Sequence, residues 1–92
     1  MTINDARRCG MPLNEIIEGS DIYEDMKASA ISGDLKSILD LAMWNEIQGD
    51  INPENSIKYY ETALALYKKA TYIDDECFGQ EAHDDLKSRI GR

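Results

Sequence analysis

An all-α fold, a small bundle of antiparallel helices, is predicted by three observations on this sequence. Apolar residues recur at three- and four-residue spacing through most of the chain. Glycine followed by aspartate, at 33–34 and 49–50, punctuates it where one helix should stop and another start. No convincing period-two run marks a strand. Ninety-two residues with an ordinary apolar fraction make one domain, 1–92, with a modest core.

The elements follow in order. Thr2 with Asp5 resembles a capping box, and Gly10 can close a first helical turn or two. Pro12 sits where a second short helix, "LNEIIE", can begin and run to Gly19. Ser20 or Asp21 caps a helix predicted near 21–32, with Ile22, Met26 and Ala30 on one face. Asp34 caps the next, predicted over 34–48. Its stripe of Leu35, Ile38, Leu39 and Ala42 is widened by Leu41, Met43, Trp44 and Ile47, so this helix should be covered on more than one side.

The longest helix is predicted over 53–73. Ile57, Tyr60, Ala63, Leu64 and Tyr67 share one face, Tyr59, Leu66 and Ile73 another, and Lys58, Glu61, Ala65 and Lys68 face water. A last helix, near 80–90, presents Ala82, Leu86 and Ile90. Gly33 and Gly49 are expected just past helix ends in the left-handed conformation that glycine adopts freely.

The stretch "QGDINPENSIKYYE" (48–61) fits two readings. As an EF-hand loop it supplies Asp50, Asn52, Glu54, Ile57 and Glu61 at the first, third, fifth, eighth and twelfth positions. The sixth position needs glycine for its sharp turn and has Asn55, with Pro53 and Glu54 poorly suited to the fourth and fifth. A helix start uses the same residues better: Asn52 as cap, Pro53 at the first helical position, Glu54 at the positive end of the dipole. Tight calcium binding is not expected.

"AISGDLKSILDLA" (30–42) and "EIQGDINPENSIKYYETALA" (46–65) share Ile-x-Gly-Asp followed by Leu or Ile and then an amphipathic helix, a weak internal repeat of helix, turn and helix. "QGD…SIKYYETALAL" resembles the second half of a tetratricopeptide repeat. Gly49 and Asp50 would form the turn, Ser56 the small position, Tyr60 and Ala63 packing positions, and Ile38, Leu41 and Ala42 those of the first helix. The resemblance covers 34–67. The segment from Gly49 to Ser56 is two residues longer than the pattern, Asn45 stands where an aromatic is expected, and no further repeat follows, which excludes a superhelical array. A lone hairpin packed on a third helix is similar to the three-helix microtubule-interacting-and-trafficking domains, and implies a groove that holds partner helices.

Charge narrows the function. Eighteen acids against ten bases, net -8, repel phosphate backbones and anionic lipid, so direct nucleic-acid binding is disfavoured. Between residues 21 and 54 eight acids face only Lys27 and Lys36, a local balance of -6, whereas 57–70 carries Lys58, Lys68 and Lys69 against Glu61. No run approaches the ~20 apolar residues of a membrane span and no targeting signal is evident, so a cytoplasmic protein is expected. Cys9 and Cys77 can pair in principle, but isolated cysteines in a helical chain more often stay reduced and partly buried.

No catalytic constellation is recognisable. His83 in "AHDDLKS" is one residue off a phosphotransfer spacing, and Cys77, His83, Asp84 and Asp85 lack zinc-ligand spacing. A non-enzymatic module without cofactor or metal is expected, binding another protein stoichiometrically through a basic surface on that partner. A homodimer is compatible with it.

Two alternatives accompany this reading: an inhibitor of the kind mobile elements use, mimicking nucleic-acid charge against a host nuclease, and a groove-type adaptor for a partner helix or peptide. The candidate contact residues are the acids Asp21, Glu24, Asp25 and Asp40 and the anchors Trp44, Tyr59 and Leu66. Each anchor has a bland alternative as plain core, and the acids as solubilising charge. Carboxylates converging on one face would favour mimicry; carboxylates scattered around an apolar groove would favour the adaptor.

Overall fold

Backbone hydrogen bonding begins where the caps place it. The computed structural model describes residues 2–90, and among them every regular element is helical: α1 (Ile3–Arg8), α2 (Asp21–Ile31), α3 (Leu35–Ile51), α4 (Ser56–Ile73) and α5 (Gly79–Ile90), with single 3-10 turns at Leu13–Glu15 and Pro53–Asn55. Thr2 Oγ1 accepts from the Asp5 amide at 3.2 Å while the Asp5 carboxylate accepts from the Thr2 amide at 3.0 Å, the reciprocal box expected there. The Thr2 amide, and then Arg8, hold the Asp5 carboxyl below its ordinary pKa. Ser20 Oγ caps α2 through the Tyr23 amide, and Asp34 caps α3 through the Ser37 amide at 3.0 Å. Gly33, at φ +99°, ends the α2 turn as predicted.

The helices pack in chain order around α3. Both α2 and α4 lie against it, α5 lies against α4, and α1 against α2. Met26, Ile38, Ala42, Trp44, Ala63, Tyr67 and Leu86 form the centre of the core. The apolar surface that runs well around α3 is thereby covered from two sides, as its sequence required. On α4 the predicted polar strip of Lys58, Glu61, Ala65 and Lys68 is exposed.

Arg7 ties α1 down. Its Nε and one terminal nitrogen both donate to Asp40 Oδ2, at 2.9 and 2.7 Å, and the group also reaches Ser37 Oγ. The Ile3 amide donates to Asp25 Oδ2 at 2.9 Å. Buried Ile3 and Ala6 complete the attachment. After α1 the second short helix shrinks to the Leu13–Glu15 turn, and Ile16 beyond it is buried.

Three expectations need correction. Gly49 does not end a helix: α3 runs through it to Ile51, and its φ is not positive. Asp50 is helical too, and the chain reverses at 52–55 instead. Asn52 does not cap the following element, since its side-chain amide donates back to the Gln48 carbonyl at 2.9 Å and so finishes α3. Ile57 is 58% exposed rather than inward, because the buried stripe of α4 runs through Ala63, Tyr67 and Ala70. At 100° per residue, position 57 lies roughly 120° around the axis from Ala63.

Gly49 is needed for another reason. A Cβ there would stand 2.6 Å from Cε1 of Tyr60, whose ring packs over this turn of α3 and whose hydroxyl donates to Asp50 Oδ1 at 2.5 Å. Helix propensity alone favours Gly49→Ala by about 1 kcal/mol. The displaced ring should outweigh that, leaving the variant about 1 kcal/mol less stable than the parent. With Tyr60→Ala in place the same change should stabilise. Urea denaturation of the four proteins checks the reversal of sign; stabilisation by Gly49→Ala in both backgrounds would rule the ring out as the cause.

Candidate partner-binding groove

Because α2 and α4 each pack on α3 but make little contact with one another, a groove opens between them with α3 as its floor. Tyr23, Lys27 and Ile31 recur at four-residue intervals along the α2 wall. Lys58, Tyr59, Thr62 and Leu66 form the α4 wall, and Leu41 and Asn45 the floor. Eight residues of rise along α2 give a length of about 12 Å, enough for roughly two turns of a docked helix.

Trp44 holds the walls in place from beneath. It is 1% exposed, its ring lies 4.8 Å from Tyr23 and 6.2 Å edge-on from Tyr59, and its Nε1 donates to the Ile16 carbonyl at 2.9 Å. That bond carries the loop preceding α2 to the groove's end, where Tyr59 Oη donates to Glu18 Oε1 at 2.9 Å. The Glu18 bond is the first cause of a raised Tyr59 pKa, whereas burial is the first cause at Tyr23. Both phenols are therefore neutral donors at physiological pH.

The polar groups in the groove are few and differ in commitment. Asn45 is buried, and its Nδ2 donates to the Leu41 carbonyl at 2.9 Å, while its Oδ1 accepts from no described residue. Lys27 and Lys58, one on each wall, have no carboxylate within salt-bridge distance among the described residues. Ile31 is 71% exposed at the far end. An apolar trough with a few convergent polar groups is the usual form of a binding site.

The seven candidate residues separate here. Tyr59 and Leu66 are half-buried and line the groove together. Trp44 sits in the core, with no indole surface left for a partner. Asp40 is held by Arg7 and Asp25 by the Ile3 amide, so both serve the attachment of α1. Asp21 and Glu24 are exposed in the first turn of α2. Of the eight acids between 21 and 54, Asp34, Glu46 and Asp50 are also engaged, in a cap or with Tyr67, Arg89 and Tyr60.

Sequence reasoning missed Tyr23, Lys27, Ile31 and Asn45. The signal was a stripe one residue along from Ile22, Met26 and Ala30, and equally regular. Residues 50–61, weighed against a calcium loop and read as a helix start, are a helix end, a 3-10 turn and a helix start, with Asp50 and Asn52 hydrogen-bonded. Cys9 is exposed and Cys77 half-buried, both as free thiols. No helix among the described residues is long and apolar enough to cross a membrane. No protein-family model matches the chain, nor does any curated protein or solved structure.

Proposed function

We propose that this protein is a non-enzymatic binding module whose α2–α4 groove takes an amphipathic helix or peptide from a partner protein. The observation that carries the reading is the groove itself, in which Tyr23, Tyr59 and Leu66 converge over a floor braced by Trp44. Aromatic and aliphatic side chains on a rigid, half-buried frame supply most of the energy in such contacts. The unpaired ammonium groups of Lys27 and Lys58 favour a partner segment that carries acids beside its apolar face.

Charge mimicry has less support. Five of the eight acids between 21 and 54 are engaged in caps, ion pairs or hydrogen bonds, which leaves Asp21, Glu24 and Glu54 to present charge from that segment. The resemblance to a tetratricopeptide hairpin is compatible with a groove, although the chain reverses at 52–55 and not at Gly49–Asp50.

The test is affinity capture from the native host with the parent protein and with Leu66→Glu as baits. The parent should hold a partner in stoichiometric amount, and Leu66→Glu should weaken that complex by on the order of tenfold or more, as loss of a central anchor does. Helical circular dichroism should be unchanged. A partner retained by Leu66→Glu but lost on reversing Asp21 and Glu24 would replace the groove with the acidic surface.

A further inference from the structure

A second trough lies on the other side of α3. Leu41 and Asn45 face the α2–α4 groove, whereas Met43, Glu46 and Ile47 lie roughly 170° around the helix axis, at 100° per residue. There α3 and α5 flank α4, and the space between them is lined by Met43, Ile47, Phe78 and Ala82 over the buried Tyr67. A neighbouring hollow shares Phe78, Ala82 and Asp85 with it, so the two form one open surface running onto α5. Phe78 is 46% exposed at its centre.

The rim of this surface carries charge of one sign. Glu46, Glu81 and Asp85 line it and no lysine or arginine does. Arg89, just beyond, is taken up by Glu46 and lies 3.6 Å from Asp50, so it neutralises α3 carboxylates. Asp85 is 3.9 Å from the Arg89 Nε and mostly in solvent, and Glu81 has no partner among the described residues. Apolar surface centred on a half-exposed phenylalanine and bordered by carboxylates, of which Glu81 is unpartnered among the described residues and Asp85 only loosely paired, matches a segment with the opposite pattern.

We propose that the α3–α5 trough docks a basic amphipathic helix of another protein, with apolar side chains against Phe78, Met43 and Ile47 and lysines or arginines toward Glu81 and Asp85. This places the basic partner expected from the composition on the surface between α3 and α5, away from the acids of α2. A second copy of the chain is a poorer occupant. A two-fold interface would bring the acidic rims of two copies together, and each chain carries a net charge of -8. The site is separate from the α2–α4 groove, so its failure leaves that reading untouched.

The probe is a fluorescein-labelled, helix-forming peptide of roughly 18 residues, with leucines at heptad-like spacing and lysine and arginine elsewhere. Anisotropy is followed against the full chain at near-physiological salt, where surface charges are screened beyond about 8 Å. The parent should bind saturably. Reversal of both rim charges, Glu81→Lys with Asp85→Lys, should weaken binding about tenfold or more, and Phe78→Ser should do likewise. Asp21→Lys with Glu24→Lys should change it less than about twofold, because exposed charges away from the interface act weakly through salt. Thermal melts show whether each variant is folded.

A charge-matched peptide with scrambled leucines should bind worse. Equal weakening by the two double reversals, equal binding of the scrambled peptide, or no saturable binding would overturn the proposal. So would a dimer of the parent that dissociates on Glu81→Lys with Asp85→Lys, since a second copy would then own the surface.

Discussion

Replacement of Trp44 by alanine should destabilise the fold by about 3 to 5 kcal/mol, the range for removing a fully buried large aromatic. Small domains have only about 5 to 15 kcal/mol in total, so much of the population is expected to unfold on mild heating. The indole fills the space between α2, α3 and α4 and packs at a tilt against Tyr23, while its Nε1 satisfies the Ile16 carbonyl. Trp44→Phe separates these roles. It keeps most of the ring contact but orphans that carbonyl, and should cost about 1 to 3 kcal/mol. Denaturation followed by circular dichroism suits the comparison, because the chain has no other tryptophan to report by fluorescence. A Trp44→Ala protein within about 1 kcal/mol of the parent would show that the indole is not the brace described.

Truncation of Leu86 to alanine should cost about 2 to 5 kcal/mol, and the loss should appear first as opening of α5. Leu86 is fully buried and is the central contact of a helix that packs chiefly on α4. Its other attachments are the half-buried Ala82 and Ile90 and the Arg89 pairs with Glu46 and Asp50, which are partly exposed and contribute little alone. Amide exchange should accelerate across 79–90 while α2 and α3 stay protected. Uniform acceleration across all five helices would mean that α5 is not a separate opening unit. The same variant should impair any ligand of the α3–α5 trough, since Phe78 and Ala82 move with α5.

The acids illustrate how far charge alone can be read. Charge reversal at Asp21 or Glu24 touches a solvated side chain, but at Asp40 it would break the contact that joins α1 to α3 across 33 residues of sequence. A local balance of -6 is a property of composition. Which of those carboxylates remain free depends on whether Arg7, Arg89, Tyr60 and Tyr67 arrive beside them.

The four longer helices and most of their boundaries were legible because their causes are local. Thr2 with Asp5, Ser20 with Tyr23, and Asp34 with Ser37 act over three residues, and Gly33 takes its left-handed conformation within one turn. The apolar periodicity of α3 and α4 likewise showed that α3 must be covered on two sides. Gly49 defeated the same reasoning. Gly-Asp after a helical run has the chemistry of a stop, yet the helix continues to Ile51, and glycine is needed at 49 because the Tyr60 ring, from α4, occupies the volume that a side chain would fill. Tertiary structure alone also decided that Trp44 is core while Tyr59 and Leu66 edge a groove: a helix apolar nearly all round has no unique outward face until its neighbours choose one. Local hydrogen bonds and periodicity thus determined the helices, and packing between distant faces determined the two troughs.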